Sequence, residues 1–171
     1  MELEILHMIQ NLHRDWLSDI MIFFSTIGNG GMFWIAVCIV LLLIPRTRKC
    51  GITMAAAMLL TMILGNEIIK KVVARPRPCT VDTSVTLLIP RPGEYSFPSG
   101  HTANSFTAAV SIFLYYRKPG ILALVIASMI AFSRMYLFVH YPTDILGGIL
   151  LGTLDAMLIY GCIWKWERRR K

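Results

Sequence analysis

Charge is scarce in this chain of 171 residues: Asp, Glu, Lys and Arg make up only 16%, against about 25% in an average soluble domain. Apolar residues reach 56% and the mean hydropathy is +0.60, which excludes an ordinary water-soluble globule. Length excludes a second folded unit, because a domain takes about 100 to 200 residues, so 1–171 is read as a single integral membrane domain. Acidic residues are the scarcer sign, ten against seventeen Lys plus Arg, for a net charge of +7. Such an excess suits nucleic acid, an anionic membrane surface or a phosphorylated substrate. The apolar content selects the membrane, sets nucleic acid aside as a partner and leaves phosphate open.

Close cysteine pairs are also missing. Cys38, Cys50, Cys79 and Cys162 are far apart in sequence, so neither a CxxC metal site nor a redox motif can be drawn, and they read as free thiols. Residues 1–19 lack the basic start and apolar block of a cleaved leader, carrying Glu2, Glu4, His7, His13, Arg14 and Asp15 instead. Membrane segments are therefore expected to stay in the mature protein.

What is present is a series of apolar stretches. Crossing a hydrocarbon core of about 30 Å takes roughly 20 helical residues. Five candidates occur, near 30–45, 51–69, 101–116, 121–139 and 143–164, separated by basic clusters or by turns such as Arg117-Lys118-Pro119-Gly120. The expected fold is all-α, a polytopic membrane bundle occupying 30–164 and followed by a basic cytoplasmic tail, 165–171. Residues 1–28 are expected to form interfacial helices, with a sixth span as the alternative, because the apolar run 16–27 is short and ends at Gly28-Asn29-Gly30-Gly31. The segment 72–98 holds five prolines and is read as a loop.

With five spans, the loop 46–50, the turn 117–118 and the tail 165–171 share one side and carry ten Lys plus Arg, which makes that side cytoplasmic. The other side receives Arg14, Lys70, Lys71, Arg75, Arg77, Arg91 and Arg134, where the positive-inside rule wants few. Those residues call for another explanation.

Three segments meet on that outer side: 70–78 (KKVVARPRP), 98–101 (PSGH) and 133–144 (SRMYLFVHYPTD). Their residue types suit phosphoryl transfer, in which fixed cations such as Lys70, Arg77 and Arg134 stabilise charge spread over the phosphoryl oxygens. His101 and His140 supply a nucleophile and a proton donor. Asp144 stands one helical turn beyond His140, where it can hold the ring by one nitrogen and leave the other free to attack. Gly100 allows close backbone approach at a helix start, beside the Ser99 hydroxyl.

Lys70 with Arg77-Pro78, then Pro98-Ser99-Gly100-His101, then Ser133-Arg134, His140 and Asp144 resembles the three-part signature of the type 2 phosphatidic acid phosphatase family, complete and in order. The match spans 70–144, and within the family the chain resembles bacterial undecaprenyl pyrophosphate phosphatases. The resemblance implies a metal-independent, cofactor-free lipid phosphatase. In it the residue matching His140 is phosphorylated, that matching His101 protonates the leaving group and that matching Asp144 orients the nucleophile. Lys70, Arg77, Ser99, Gly100 and Arg134 match its phosphate-binding positions. The implied partner is a lipid phosphate or pyrophosphate in the bilayer, and the implied location a cell membrane with the site facing outward. Undecaprenyl pyrophosphate is the expected substrate, with phosphatidylglycerophosphate and phosphatidic acid as alternatives. Oligomeric state is unknown from the sequence.

Other polar residues receive structural readings. His7 and His13 are expected at the surface, Glu67 in an ion pair that positions Lys70, and Asp155 paired with another helix inside the bundle. Arg75 and Lys71 are divided evenly between phosphate contact and solvated charge. Gly148 and Gly152 are expected to allow close helix packing within the bundle. A transporter lined by Glu67 and Asp155 is the competing class, one that would need neither PSGH nor a His–Asp pair.

Overall fold

A computed structural model describes residues 1–169, and all of its regular structure is helical. The helices are α1 (Glu2–Gln10), α2 (Asp15–Ile27), α3 (Met32–Leu43), α4 (Arg48–Thr61), α5 (Lys70–Val73), α6 (Pro78–Val81), α7 (Gly100–Tyr115), α8 (Arg117–Tyr136) and α9 (Pro142–Arg168). A π-helical stretch, Met62–Ile69, joins α4 to α5 without a break. Of the expected tail, Lys165 to Arg168 continue α9, and Arg170 and Lys171 lie outside the described residues.

Among the described residues, three helical runs are long and apolar enough to cross a membrane: Arg48–Val81, Arg117–Tyr136 and Pro142–Trp166. A fourth candidate is bent by 48°, Asp15–Ile27 followed by Asn29–Leu43. The five spans read from the sequence thus reduce to three or four by this measure. α7 has only 16 residues, about 24 Å of helix, too few to pass on length. Residues 1–28, expected as interfacial helices, form α1 and α2. α1 packs its buried Leu6 among Met21, Tyr136 and Phe138, whereas α2 packs against α8 and is one half of the bent pair.

α7 is the axis of the bundle. Ala103, Ser105, Thr107, Ala108, Ala109 and Ser111 are all buried on it, and such small side chains let neighbouring backbones come close where lipid provides no hydrophobic drive between helices. The glycines of α9 complete the contact. A Cβ on Gly148 would lie 2.9 Å from the Ser99 carbonyl oxygen, and one on Gly152 only 2.3 Å from that of Ala103. The contact is therefore within the bundle. Deeper in the same interface Asp155 accepts a 2.7 Å hydrogen bond from Thr61 on α4, the cross-helix pairing expected of it. The outward faces of α3, α4, α8 and α9 expose Ile35, Ile39, Leu59, Leu122, Val125, Leu150 and Leu154, a surface suited to acyl chains rather than water.

Gly152→Ala is expected to destabilise the bundle by about 1 to 3 kcal/mol through overpacking. Gly161→Ala, where an added Cβ meets nothing within 4 Å, serves as the control. Thermal melting in detergent, read by tryptophan fluorescence, checks the difference; equal melting temperatures would refute the packing argument.

Candidate active site

The π-helical stretch widens the turn before Lys70 and so re-aims the residues that follow it. Asn66 and Lys70 consequently face one cavity, of about 760 Å³, at the end of the bundle. α5 stops at Ala74, which takes a left-handed conformation with φ 46°, and the chain turns back through Arg75 and Arg77. A second left-handed residue, Phe138 with φ 59°, sits in the buried connection between α8 and α9 that presents His140. Positive φ at a non-glycine residue costs about 1 to 3 kcal/mol, and here one case directly precedes Arg75 and the other stands two residues before His140.

Hydrogen bonds stitch the three connections together. The backbone N–H of Ser96 donates to the Arg75 carbonyl at 2.8 Å and that of Ser99 to the Asp144 carbonyl at 3.1 Å. The Arg77 guanidinium donates through Nε to the Glu94 carbonyl (2.6 Å) and through Nη1 to the Val139 carbonyl (2.9 Å). The same Nη1 stands 3.0 Å from His140 Nε2. A guanidinium has only donors, so Nε2 accepts and carries a lone pair. The ring proton is then on Nδ1, which faces Asp144 Oδ2 at 3.4 Å. Burial, reinforced by the Arg77 and Arg134 cations and opposed by Asp144, pushes the His140 imidazole down to about 3. The ring is neutral at physiological pH, with its lone pair on Nε2.

Asp144 is fully buried and heavily bonded. It accepts from the Ser96 hydroxyl, from the Tyr141 backbone N–H at 2.8 Å, and from Arg75 Nη1 at 2.8 Å. Arg75 in turn pairs with Glu2 of α1 and lies over the Tyr141 ring, 3.9 Å from its centroid. It is therefore neither a phosphate contact nor a solvated charge: one hand, Nη1, holds the Asp144 carboxylate that faces His140, and the other, Nη2, holds Glu2.

Lys70, Arg77, Gly100, His101, Arg134 and His140 line the cavity. Lys70, Arg77 and Arg134 are only 6%, 5% and 3% exposed. Arg134 donates to the Ser25 hydroxyl, while its Nε is buried without a hydrogen-bond partner in the protein. The N-terminus of α7, with Gly100 and His101, also opens here and adds its partial positive charge. A Cβ on Gly100 would stand 3.2 Å from Asn66 Oδ1 and 3.8 Å from Lys70 Nζ, so glycine keeps the backbone open to an anion.

Ser99 and Asp144 lie behind the wall rather than on it. The Ser99 hydroxyl caps α7, accepting from the Thr102 N–H at 3.4 Å and the Thr102 hydroxyl at 3.0 Å, which engages the group expected to bind phosphate. The expected Glu67 to Lys70 pair is not formed. Lys70 points inward to Glu94 (2.8 Å), while the exposed Glu67 pairs with Lys71 (2.6 Å) on the outer side of the helix. The hydrogen bond from Lys70 is the first of the effects that hold the Glu94 carboxyl below its usual range. His7 is paired with Asp82 at 2.8 Å, and His13 bonds the Tyr136 carbonyl at 3.1 Å, both away from the cavity lining.

Sequence reasoning missed Asn29, Asn66, Arg91, Glu94 and Asn104 on the cavity wall, and Ser96 behind it. Asn66 and Glu94 carried a readable signal, one turn before Lys70 and just before PSGH. Asn29 carried none, since its position depends on how the bent pair of α2 and α3 folds back onto α7.

The arrangement has known counterparts. An undecaprenyl-diphosphatase of Sulfolobus acidocaldarius is 38% identical over 143 residues, covering 83% of this chain and 68% of that one. An undecaprenyl-diphosphatase of Bacillus subtilis is 30% identical over 166 residues, covering 94% and 83%. The crystal structure of a transmembrane PAP2 type phosphatidylglycerolphosphate phosphatase from Bacillus subtilis superposes with a TM-score of 0.79 at 26% identity, covering 96% of this chain and 85% of that one. The family model of the PAP2 superfamily matches residues 50–168, a stretch that takes in Lys70, PSGH, His140 and Asp144, and the chain belongs to that superfamily.

Proposed function

We propose that this protein hydrolyses a lipid pyrophosphate or phosphate through a phosphohistidine, with His140 as nucleophile. The observation that carries the reading is the placement of His140 Nε2. It is a neutral, buried nitrogen held by Asp144 on its far side and set against Arg77 at the wall of a cationic cavity. Attack forms a bond from Nε2 to phosphorus and breaks the bond to the leaving oxygen, which takes a proton from His101. Lys70, Arg77, Arg134 and the start of α7 stabilise the equatorial oxygens. Water then attacks the phosphohistidine, and His101 accepts its proton.

Undecaprenyl pyrophosphate is the substrate we favour, because the relatives at 38% and 30% identity bear the name undecaprenyl-diphosphatase. Phosphatidylglycerophosphate is the second reading, favoured by the solved neighbour of that activity. The chain is a single membrane-embedded phosphatase domain crossing the bilayer five times, by the α2–α3 pair, the run from α4 to α5, α7, α8 and α9. α7 fits this count in spite of its length because α8 and α9 pack along it. The cavity end faces outward, opposite the ten cations of the inner loops and tail.

His140→Ala is expected to abolish turnover, and Asp144→Asn to lower kcat by about 10²-fold, since the nucleophile survives with a poorly held tautomer. Rapid quenching with a ³²P-labelled lipid pyrophosphate is expected to trap acid-labile label on the wild type and none on His140→Ala. Label retained by His140→Ala would refute the assignment.

Activity is expected to persist in excess chelator and to be inhibited by orthovanadate, because the cavity wall combines four cations, Lys70, Arg77, Arg91 and Arg134, with the single carboxylate of Glu94. Strict dependence on a divalent metal would overturn this chemistry.

Thr86→Cys on the exposed loop, in a Cys162→Ser background, is expected to react with a membrane-impermeant maleimide in intact cells, since the other native thiols are buried. Labelling only after lysis would reverse the orientation.

A further inference from the structure

Gly28-Asn29-Gly30-Gly31 reads in the sequence only as a helix breaker. In the structure it is moulded around His101. Asn29 begins the short 3₁₀ turn Asn29–Gly31 between the halves of the bent pair, and its Oδ1 stands 2.9 Å from His101 Nε2. A Cβ on Gly28 would lie 2.9 Å from His101 Cδ2, so only glycine leaves room for the ring there. Gly30 and Gly31 take φ of 59° and 69°, left-handed values that bring the turn back toward α7. All four residues line the cavity with His101.

The geometry points to Asn29 as the positioning residue of the general acid: its side-chain carbonyl accepts the Nε2 proton of His101 and thereby makes Nδ1 the atom that protonates the leaving group. This inference rests on the phosphatase reading above. When an anionic phosphate fills the cavity and the ring takes up a second proton, both nitrogens carry protons. Nε2–H stays on Asn29, and the Nδ1 proton passes to the oxygen leaving phosphorus as the bond to His140 Nε2 forms. The neutral ring that remains keeps its Nε2 proton on Asn29, and its Nδ1 lone pair takes the proton of the water that hydrolyses the phosphohistidine. Asn29 thus holds the tautomer through both half-reactions, as Asp144 does for His140. The amide is neutral, so it orients the ring without cancelling the cations needed for phosphate.

The consequence depends on the leaving group. Expelling an alkoxide from a phosphate monoester needs a proton from the enzyme, whereas a pyrophosphate expels a stable phosphate oxygen and needs it far less. Purified wild type, Asn29→Ala and Gly28→Ala are compared on phosphatidic acid and farnesyl pyrophosphate in detergent. Both substitutions are expected to lower kcat on phosphatidic acid by about 10²-fold and on farnesyl pyrophosphate by less than about tenfold. KM is expected to change little. A second reading uses phosphatidic acid, the substrate whose leaving group needs the His101 proton. Asn29→Asp sets a carboxylate against the imidazolium, and the alkaline limb of kcat/KM is expected to rise by about one pH unit. Arg134, Arg77, Lys70 and His140 also act on this ring and are the same in every variant. An alkaline limb unmoved in Asn29→Asp, or equal losses on both substrates, would overturn the inference. A wild type that hydrolyses neither substrate and forms no phosphoenzyme would instead remove the phosphatase reading beneath it.

Discussion

Three cations held almost out of water at one end of an apolar bundle constrain everything around them. Lys70, Arg77 and Arg134 converge on a single cavity with side chains from different helices and loops. Moving such a charge out of water carries a penalty of several kcal/mol, which falls only if each group finds partners. Arg77 finds two carbonyls and the lone pair of His140, Lys70 finds Glu94, and Arg134 keeps an Nε without a protein partner. The unmet demand is for an anion. Phosphoryl oxygens, on the proposed reading, would satisfy it beside the lone pair of His140 Nε2.

The backbone meets this demand by departing from regular helix where the site needs it. A π-helical stretch turns Asn66 and Lys70 inward, left-handed residues end α5 and shape the connection that carries His140, and the free N–H groups of α7 open at the same point. Arg77 is the tie between them. Its donors reach the loop before PSGH through Glu94 and the segment after α8 through Val139, so one side chain sets the spacing of two connections as well as the tautomer of His140.

The N-terminal helices, which fall outside the matched family region, complete the site rather than merely covering it. Glu2 bonds Arg75, which braces Asp144, and Ser25 bonds Arg134. The turn between α2 and α3 supplies Asn29 to His101. Each contact reaches a residue that lines the cavity or one that braces its wall. Loss of this region would free the charges at the cavity without removing any residue of the three-part signature.

Helical membrane character was legible in the sequence because it depends on local quantities: stretches of apolar residues, the basic clusters between them and the prolines that interrupt them. The residue types of the site were legible for a related reason, since phosphoryl transfer requires cations, an imidazole and a carboxylate, and the His140 to Asp144 spacing is one helical turn. What the sequence could not supply were partners chosen by distance across the fold. Glu94 rather than Glu67 pairs with Lys70, Arg75 turns to Asp144 and Glu2 rather than to phosphate, and Ser99 spends its hydroxyl on a helix cap. The course of residues 1–28 was equally undetermined, because twelve apolar residues followed by a glycine turn suit a surface helix as well as half of a bent span. Packing of α2 against α8 sets its place in the fold and puts Asn29 against His101, 72 residues away in the chain. Periodicity and composition describe each helix alone; the tertiary structure decides which of its polar groups meet, and that depends on how closely the helices approach.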